Sequence, residues 1–245
     1  MKLVVIIPVY NHEHAIGSVV DQVLAHALPI LLVDDGSSPS CAKVLGDLAA
    51  AHPGTVSLVT LPQNSGKGGA VMAGFREAQR LGYTHALQID ADGQHFLDDV
   101  PKFVAAATAH PLALVTGYPV FDDSVPKARL YGRLLTHLMV WLNTLSFAIK
   151  DSMCGFRIYP LPTVVRLIDS TRLGTRMDFD PEIAVRLVWR GVEVVNLPTK
   201  VRYPTDGVSH FDVLWDNVRI TRLHIKMLFG MLLRLPVLLW RKVAA

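Results

Sequence analysis

The chain has 245 residues, of which 51% are hydrophobic and 18% charged, and its net charge is +3. That length suits one large α/β domain that buries a core without staples, and so small a net charge gives no argument for nucleic acid. The charged share is low for a domain surrounded by water, so extra apolar surface is expected to meet something else.

Leu3–Pro8 is a continuous apolar, β-branched run, the pattern of a parallel strand buried on both faces. Residues 14–28 read as a helix. Ile30–Val33 reads as a second strand ended by Asp34-Asp35-Gly36-Ser37-Ser38. Ser40–Ala51 follows as a helix with Ser37 or Ser38 as its cap and Pro39 near its first turn. Val56–Thr60 is a third strand, Lys67–Leu81 a helix after a Gly-rich turn, and His85–Ile89 a fourth strand that ends at Asp90. Strand and helix in turn imply a mostly parallel central sheet flanked by helices, with ligands beyond the carboxyl ends of the strands.

The second half is less regular. Leu112–Thr116 is a further strand, Ala128–Ile149 a long apolar helix or two short ones, and Asp151–Pro160 a loop rich in special residues. Asp180–Arg190 is helical, Val192–Leu197 is a strand, and a basic amphipathic tail begins near Asn217. No run reaches 18 uncharged apolar residues, so no spanning helix is expected. Cys41 and Cys154 have no metal-ligand spacing and read as reduced thiols, and Met1–Pro8 is too short an apolar run for a leader. A cytoplasmic protein is the expectation.

The chemistry-bearing motifs fall at the strand ends. Asp90-Ala91-Asp92-Gly93-Gln94-His95 puts two carboxylates one residue apart, where both can face one cation, with Ala91 leaving room for a ligand. Hard oxygen donors suit Mg²⁺ or Mn²⁺, which also bind a diphosphate; the bland alternative is a solvated turn. Asp34 and Asp35 fit contacts to a base or ribose, or a turn and helix cap. Asn64-Ser65-Gly66-Lys67-Gly68-Gly69 lacks the Walker spacing. It reads either as a turn that lets the next helix pack closely or as a loop bringing Lys67 to a diphosphate. Tyr10, after Pro8 and before Asn11, can stack on a base or belong to the core. His12, Glu13 and His14 read as surface residues.

Taken in order, these four motifs over the first hundred residues resemble family 2 glycosyltransferases of the GT-A fold. Among them the dolichyl- or polyprenyl-phosphate mannose and glucose synthases are most similar. Asp151-Ser152-Met153-Cys154-Gly155-Phe156-Arg157 resembles that branch's Asp…Ser-Gly-Phe-Arg segment, and Gly207-Val208-Ser209-His210 resembles its Gly-x-Ser-Lys/Arg segment. The resemblance implies a nucleoside-diphosphate sugar bordered by Pro8, Tyr10, Asn11, Asp34, Asp35, Lys67, Asp90 and Ala91. It implies a divalent metal on Asp90, Asp92 and Gln94. It also implies an acceptor phosphate facing Arg129, Arg133, Arg202 and His210. Asp180, or after it Glu182, stands where the family often carries a catalytic base, although acids at a helix start also favour the macrodipole. The Gln-x-x-Arg-Trp signature of processive synthases is missing, which favours a single inverting transfer.

These readings divide the chain into a GT-A domain over 1–216 and a tail over 217–245. The tail's Arg219, Arg222, Lys226, Arg234, Arg241 and Lys242 lie among apolar residues, a pattern that binds anionic headgroups. Core packing or a dimer contact would also use such a helix. The expected enzyme is peripheral to the inner face of the plasma membrane, of unassigned oligomeric state, with a lipid acceptor that is a polyprenyl phosphate or carries a hydroxyl instead. A sugar nucleotidyltransferase would need a Gly-rich basic loop where Val9-Tyr10-Asn11-His12 stands, and a scaffold without turnover would not need both Asp90 and Asp92.

Overall fold

A computed structural model describes residues 1–120, 127–201 and 212–244, with side chains for all of these except 127–131, 213 and 244. The strands are β1 (Leu3–Val9), β2 (Ile30–Asp34), β3 (Val56–Thr60), β4 (His85–Gln88), β5 (Leu114–Val120), β6 (Arg157–Pro160) and β7 (Val194–Lys200). They form one sheet in the order β3-β2-β1-β4-β6-β5-β7. Every pairing is parallel except those of β6, which runs antiparallel between β4 and β5.

Register decides where the site lies. Val9 pairs with Asp34 and Asp34 with Thr60, so the carboxyl ends of β1, β2 and β3 align along one edge. β6 enters at that same edge, because it is reversed: Arg157, its first residue, pairs with Gln88, the last of β4. The loop before β6 therefore arrives beside the acids that follow β4. Asp151–Pro160, expected as a loop throughout, is thus a loop whose last four residues are a strand.

The strands are buried on both faces, as an apolar run predicts. Val4, Ile6, Leu31 and Val33 meet α3 (Lys67–Arg80), α6 (Leu161–Ser170) and α7 (Phe179–Trp189). Leu3, Val5, Ile7 and Val9 meet α1 (Ile16–Leu24), α2 (Pro39–Ala51) and α4 (Val100–Ala109). Phe75 of α3 packs edge-on against Tyr159 of β6 with ring centroids 4.9 Å apart, both fully buried. Truncating Phe75 to Ala would cost about 3–5 kcal/mol. Ser38 caps α2, with Pro39 in the first turn, as expected. Helices α4 and α6 were not anticipated; Pro101 and Pro162 read as breakers in a sequence, yet both sit in first turns, where the missing N–H costs nothing.

Two helices cover the remaining flank. α5 (Lys127–Thr144) ends where Leu145 turns to a φ of 49°, five residues short of the expected Ile149. α8 (Val213–Ala244) is one unbroken helix of 32 residues despite Pro236, and it starts four residues before Asn217. Its buried stripe, including Leu223, Met227 and Met231, belongs to the core that α5 and α7 share. The opposite face exposes Ile225, Phe229, Leu233 and Trp240. The expectation of no spanning-length helix is corrected: Leu214–Val243 is by length and composition long and apolar enough to cross a bilayer, because one stretch of 18 residues in it carries at most two charges.

Candidate active site

Two loops are fixed before any catalytic group is placed. Asn11 takes a φ of 54° after β1, and its side-chain oxygen accepts from the Ser38 amide at 2.8 Å. Asp34 caps the same turn by accepting from the Ser37 amide. Asp35, 2% exposed, accepts from Asn64 Nδ2, from the Ser65 amide and hydroxyl, and from the Gly66 amide. Its carboxylate therefore holds the Asn64–Gly66 loop. Gly36, at a φ of 70°, leaves no room for a side chain, since a Cβ would stand 2.6 Å from the Gln63 carbonyl carbon.

That loop launches α3 and aims Lys67. A Cβ on Gly68 would overlap Phe179, so the glycines do allow α3 to pack closely on α7. Lys67 itself turns to the acids. Its ammonium lies 2.8 Å from Asp90 Oδ1 and 2.9 Å from Asp180 Oδ2. Gln88 Nε2 donates to Asp180 Oδ1 at 3.2 Å. His95 Nε2 is 3.3 Å from Asp90 Oδ2, its ring stacked on Phe156. Burial alone would push the Lys67 ammonium down, but Asp180 and Asp90 outweigh it and hold it well above the usual lysine range. Burial would likewise raise Asp90, yet Lys67 and His95 hold it far below the usual carboxylate range.

Beneath this cluster lies Arg157, wholly buried. Its guanidinium donates to the carbonyls of Asp180 and Ser152 at 2.8 and 2.7 Å, tying the start of α7 to the loop before β6. That loop presses against the acids: a Cβ on Gly155 would stand 2.5 Å from Asp90 Oδ2. Asp151, 2% exposed, organises it by accepting from the Met153 and Cys154 amides at 2.8 Å. Its two oxygens also take Arg133 of α5 bidentately, at 2.5 and 2.8 Å, and His137 Nε2 lies 3.2 Å away. Burial would raise the Asp151 carboxyl, but His137 and Arg133 hold it well below its usual range.

Asp90, Asp92, Gln94 and Arg133 consequently line one cavity of about 80 Å³, closed by Met153, Cys154 and Gly155. Ala91 is buried behind it, and Asp92 accepts from the Gln94 amide at 3.0 Å. Two carboxylates and an amide are the hard oxygen donors that Mg²⁺ or Mn²⁺ takes. Among the described residues no three His, Cys, Asp or Glu side chains converge as a complete cage. A cation here would complete its shell from a ligand and water, as Mg²⁺ commonly does.

Other expected residues fall elsewhere. Pro8 and Tyr10 sit at the end of β1, both half-buried. Glu182 does not join the acid cluster. Two residues along α7 from Asp180, it is turned away, and its carboxylate accepts from the Gly174 amide, Arg186 and Lys226 of α8. Arg129 lies in α5, but its side chain is outside the described residues, as are Arg202 and His210. Gln88 and Arg157 were not foreseen as site residues: Gln88 lay inside the strand expected over His85–Ile89, and Arg157 in a segment expected to be a loop.

A twisted, mostly parallel sheet with acids gathered at its carboxyl edge and a reversed strand beside the fourth is that of a GT-A glycosyltransferase. A family model described as "Glycosyl transferase family 2" matches residues 4–161, and the chain belongs to that family. It is 27% identical over 215 residues to a dolichyl-phosphate beta-glucosyltransferase of Trichomonas vaginalis, a match that covers 80% of this chain and 62% of that protein. It is 29% identical over 223 residues to the polyprenol monophosphomannose synthase of Mycolicibacterium smegmatis, covering 85% of this chain and 80% of that one. Its fold resembles glucosyl-3-phosphoglycerate synthase from Mycobacterium tuberculosis, solved with Mn²⁺, UDP and phosphoglyceric acid. There the TM-score is 0.68 and the identity 16%, over 94% of this chain and 78% of that one.

Proposed function

We propose that this glycosyltransferase moves one sugar from a nucleoside-diphosphate sugar to a polyprenyl phosphate, with inversion, at a membrane surface. The observation that carries the reading is the single cavity lined by both Asp90-Asp92-Gln94 and Arg133. It joins a diphosphate-side acid pair to a cation suited to an acceptor phosphate. The relatives named for dolichyl-phosphate and polyprenol substrates support the same pairing.

In this reading Pro8, Tyr10, Asn11 and Asp34–Asp35 border the nucleoside, and Asp90, Asp92 and Gln94 hold Mg²⁺ or Mn²⁺. The metal supplies charge neutralisation for the departing diphosphate. Lys67 serves the same diphosphate, and Arg133, with Arg129, Arg202 and His210, the acceptor. Asp151 sets the guanidinium fork of Arg133 in one orientation. Asp180 is engaged by Lys67 and Gln88, an arrangement that suits an acceptor already ionised and in little need of a base.

Residues 1–216 would carry the chemistry and 217–245 the membrane contact. The outer apolar face of α8, flanked by Arg222, Lys226 and Lys242, and the exposed Leu134, Leu135 and Leu138 of α5 suit an anionic bilayer surface. We place that surface on the inner face of the plasma membrane.

A hydroxyl acceptor is the second reading, favoured by the place of Asp180 one ammonium away from Asp90. Nucleotide sugars incubated with polyprenyl phosphate or with polyprenol, in vesicles with Mg²⁺, separate the two by product mass. The phosphate lipid should be glycosylated and Asp180→Asn should retain substantial activity. Product from polyprenol alone, abolished by Asp180→Asn, would reverse the assignment.

A further inference from the structure

We infer that Lys67 is a placeholder cation that makes metal binding conditional on the nucleotide. The inference rests on the metal reading of Asp90 and Asp92 given above. Both oxygens of Asp90 have partners within the chain: Oδ1 faces the Lys67 ammonium at 2.8 Å, and Oδ2 faces His95 at 3.3 Å. A divalent ion that takes Asp90 must enter a cavity of about 80 Å³ against an ammonium already on the same carboxylate. Like charges at that separation repel strongly, and burial weakens the screening that water would provide.

Lys67 can leave only if another anion receives it. Asp180, at 2.9 Å, already shares the ammonium with Asp90. A diphosphate arriving at the start of α3 offers the ammonium new oxygens, and the flexible four-carbon stem allows the move. Asp90 then becomes free for the metal. Metal and nucleotide thus bind with positive coupling through one side chain, and the reciprocity of linkage requires each to raise the other's affinity equally. The device keeps the buried acids compensated while the site waits for its donor.

The test is Mn²⁺ binding to the full chain, followed by electron paramagnetic resonance of the free ion, with and without saturating UDP or GDP. Wild type should bind Mn²⁺ roughly tenfold more tightly when nucleotide is present. In Lys67→Gln the nucleotide-free affinity should rise by roughly the same factor and the coupling should shrink towards one. The double variant Lys67→Met with Asp180→Asn removes one positive and one negative charge. A rise there comes from the vacated Asp90 oxygen rather than from net charge, and if Lys67→Gln fails to fold this variant strands one carboxylate, Asp90, instead of two. Unchanged or weaker nucleotide-free affinity in the folded variants, with wild type still nucleotide-dependent, overturns the inference and leaves the metal reading standing. No Mn²⁺ binding in any protein, with or without nucleotide, overturns both.

Discussion

At the carboxyl edge of β4 the fold buries charge, while on the outer faces of α5 and α8 it exposes hydrocarbon. Asp180 and Arg157 lie deep in the molecule and Lys67 and Asp90 are partly buried, each with a partner of opposite charge or a carbonyl. Buried charges tolerate only one geometry, because a misplaced partner leaves an ion without water. Phe229, Leu233 and Trp240 on α8 are instead 64%, 84% and 71% exposed, and no described residue covers them. Exposed apolar patches of this kind mark contact with another phase or partner. The first region holds charged groups in one arrangement; the second leaves apolar side chains in the open. Asp151 and Arg133 lie between the two and connect α5 to the loop that touches Asp90.

If that division is right, substitutions in the two regions should fail differently. Asp90→Asn should lower turnover by about 10³-fold, roughly 4 kcal/mol of transition-state stabilisation, in steady-state assays with saturating donor. An Asp90→Asn enzyme within tenfold of wild type would remove the floor of the cavity from the chemistry. Replacing Phe229, Leu233 and Trp240 together by Ser should weaken binding to anionic vesicles by about two orders of magnitude, near 1 kcal/mol per side chain. The melting temperature in solution should barely move, since surface changes rarely exceed about 0.5 kcal/mol. A large drop in melting temperature with unchanged vesicle binding would make that face part of the core.

Asp151→Ala should destabilise the chain by about 3 kcal/mol in urea titration, because it strands Arg133 and His137 and uncaps the Met153 and Cys154 amides. The smallest effect concerns His224, which is buried on α8 against Asn143 Nδ2 of α5 and pushed down to about 4 by that burial. Its folded state refuses a proton that the unfolded chain takes up near pH 6.5. Stability should therefore be full above that pH and decline as pH falls, by about 2 kcal/mol at pH 5. His224→Gln should lose less stability than wild type between pH 7 and pH 4.5; equal losses would place the α5–α8 seam outside the titration.

The same contrast explains what could be read from the residues alone. β1–β4 were legible because their apolar runs end in turn residues, and Val56–Thr60 coincides with β3 at both ends. Asp90 and Asp92 were legible as acids at a strand end because the apolar run before them stops at β4. β6 was hidden, since four residues ending in a proline look like part of a loop, and only its antiparallel pairing brings Arg157 beside Gln88. A fully buried arginine runs against composition rules, so its role as a tie between Ser152 and Asp180 had no sequence signal. Asp35, read as a nucleotide contact, also holds the Asn64–Gly66 loop with four hydrogen bonds, a task that depends on folding distant residues together. The second apolar face of α8 was hidden in another way: the basic residues suggested one polar side, whereas they only flank the exposed leucines and aromatics.

The most direct measurement is a crystal structure with Mn²⁺ and a nucleoside diphosphate, with the ion located by its anomalous scattering. The account predicts one peak bonded to Asp90 and Asp92 and bridging the diphosphate, with the base near Tyr10 and Asp35 and the Lys67 ammonium moved off Asp90 onto phosphate oxygen. A diphosphate bound without metal, or an ion held away from both acids, would contradict it.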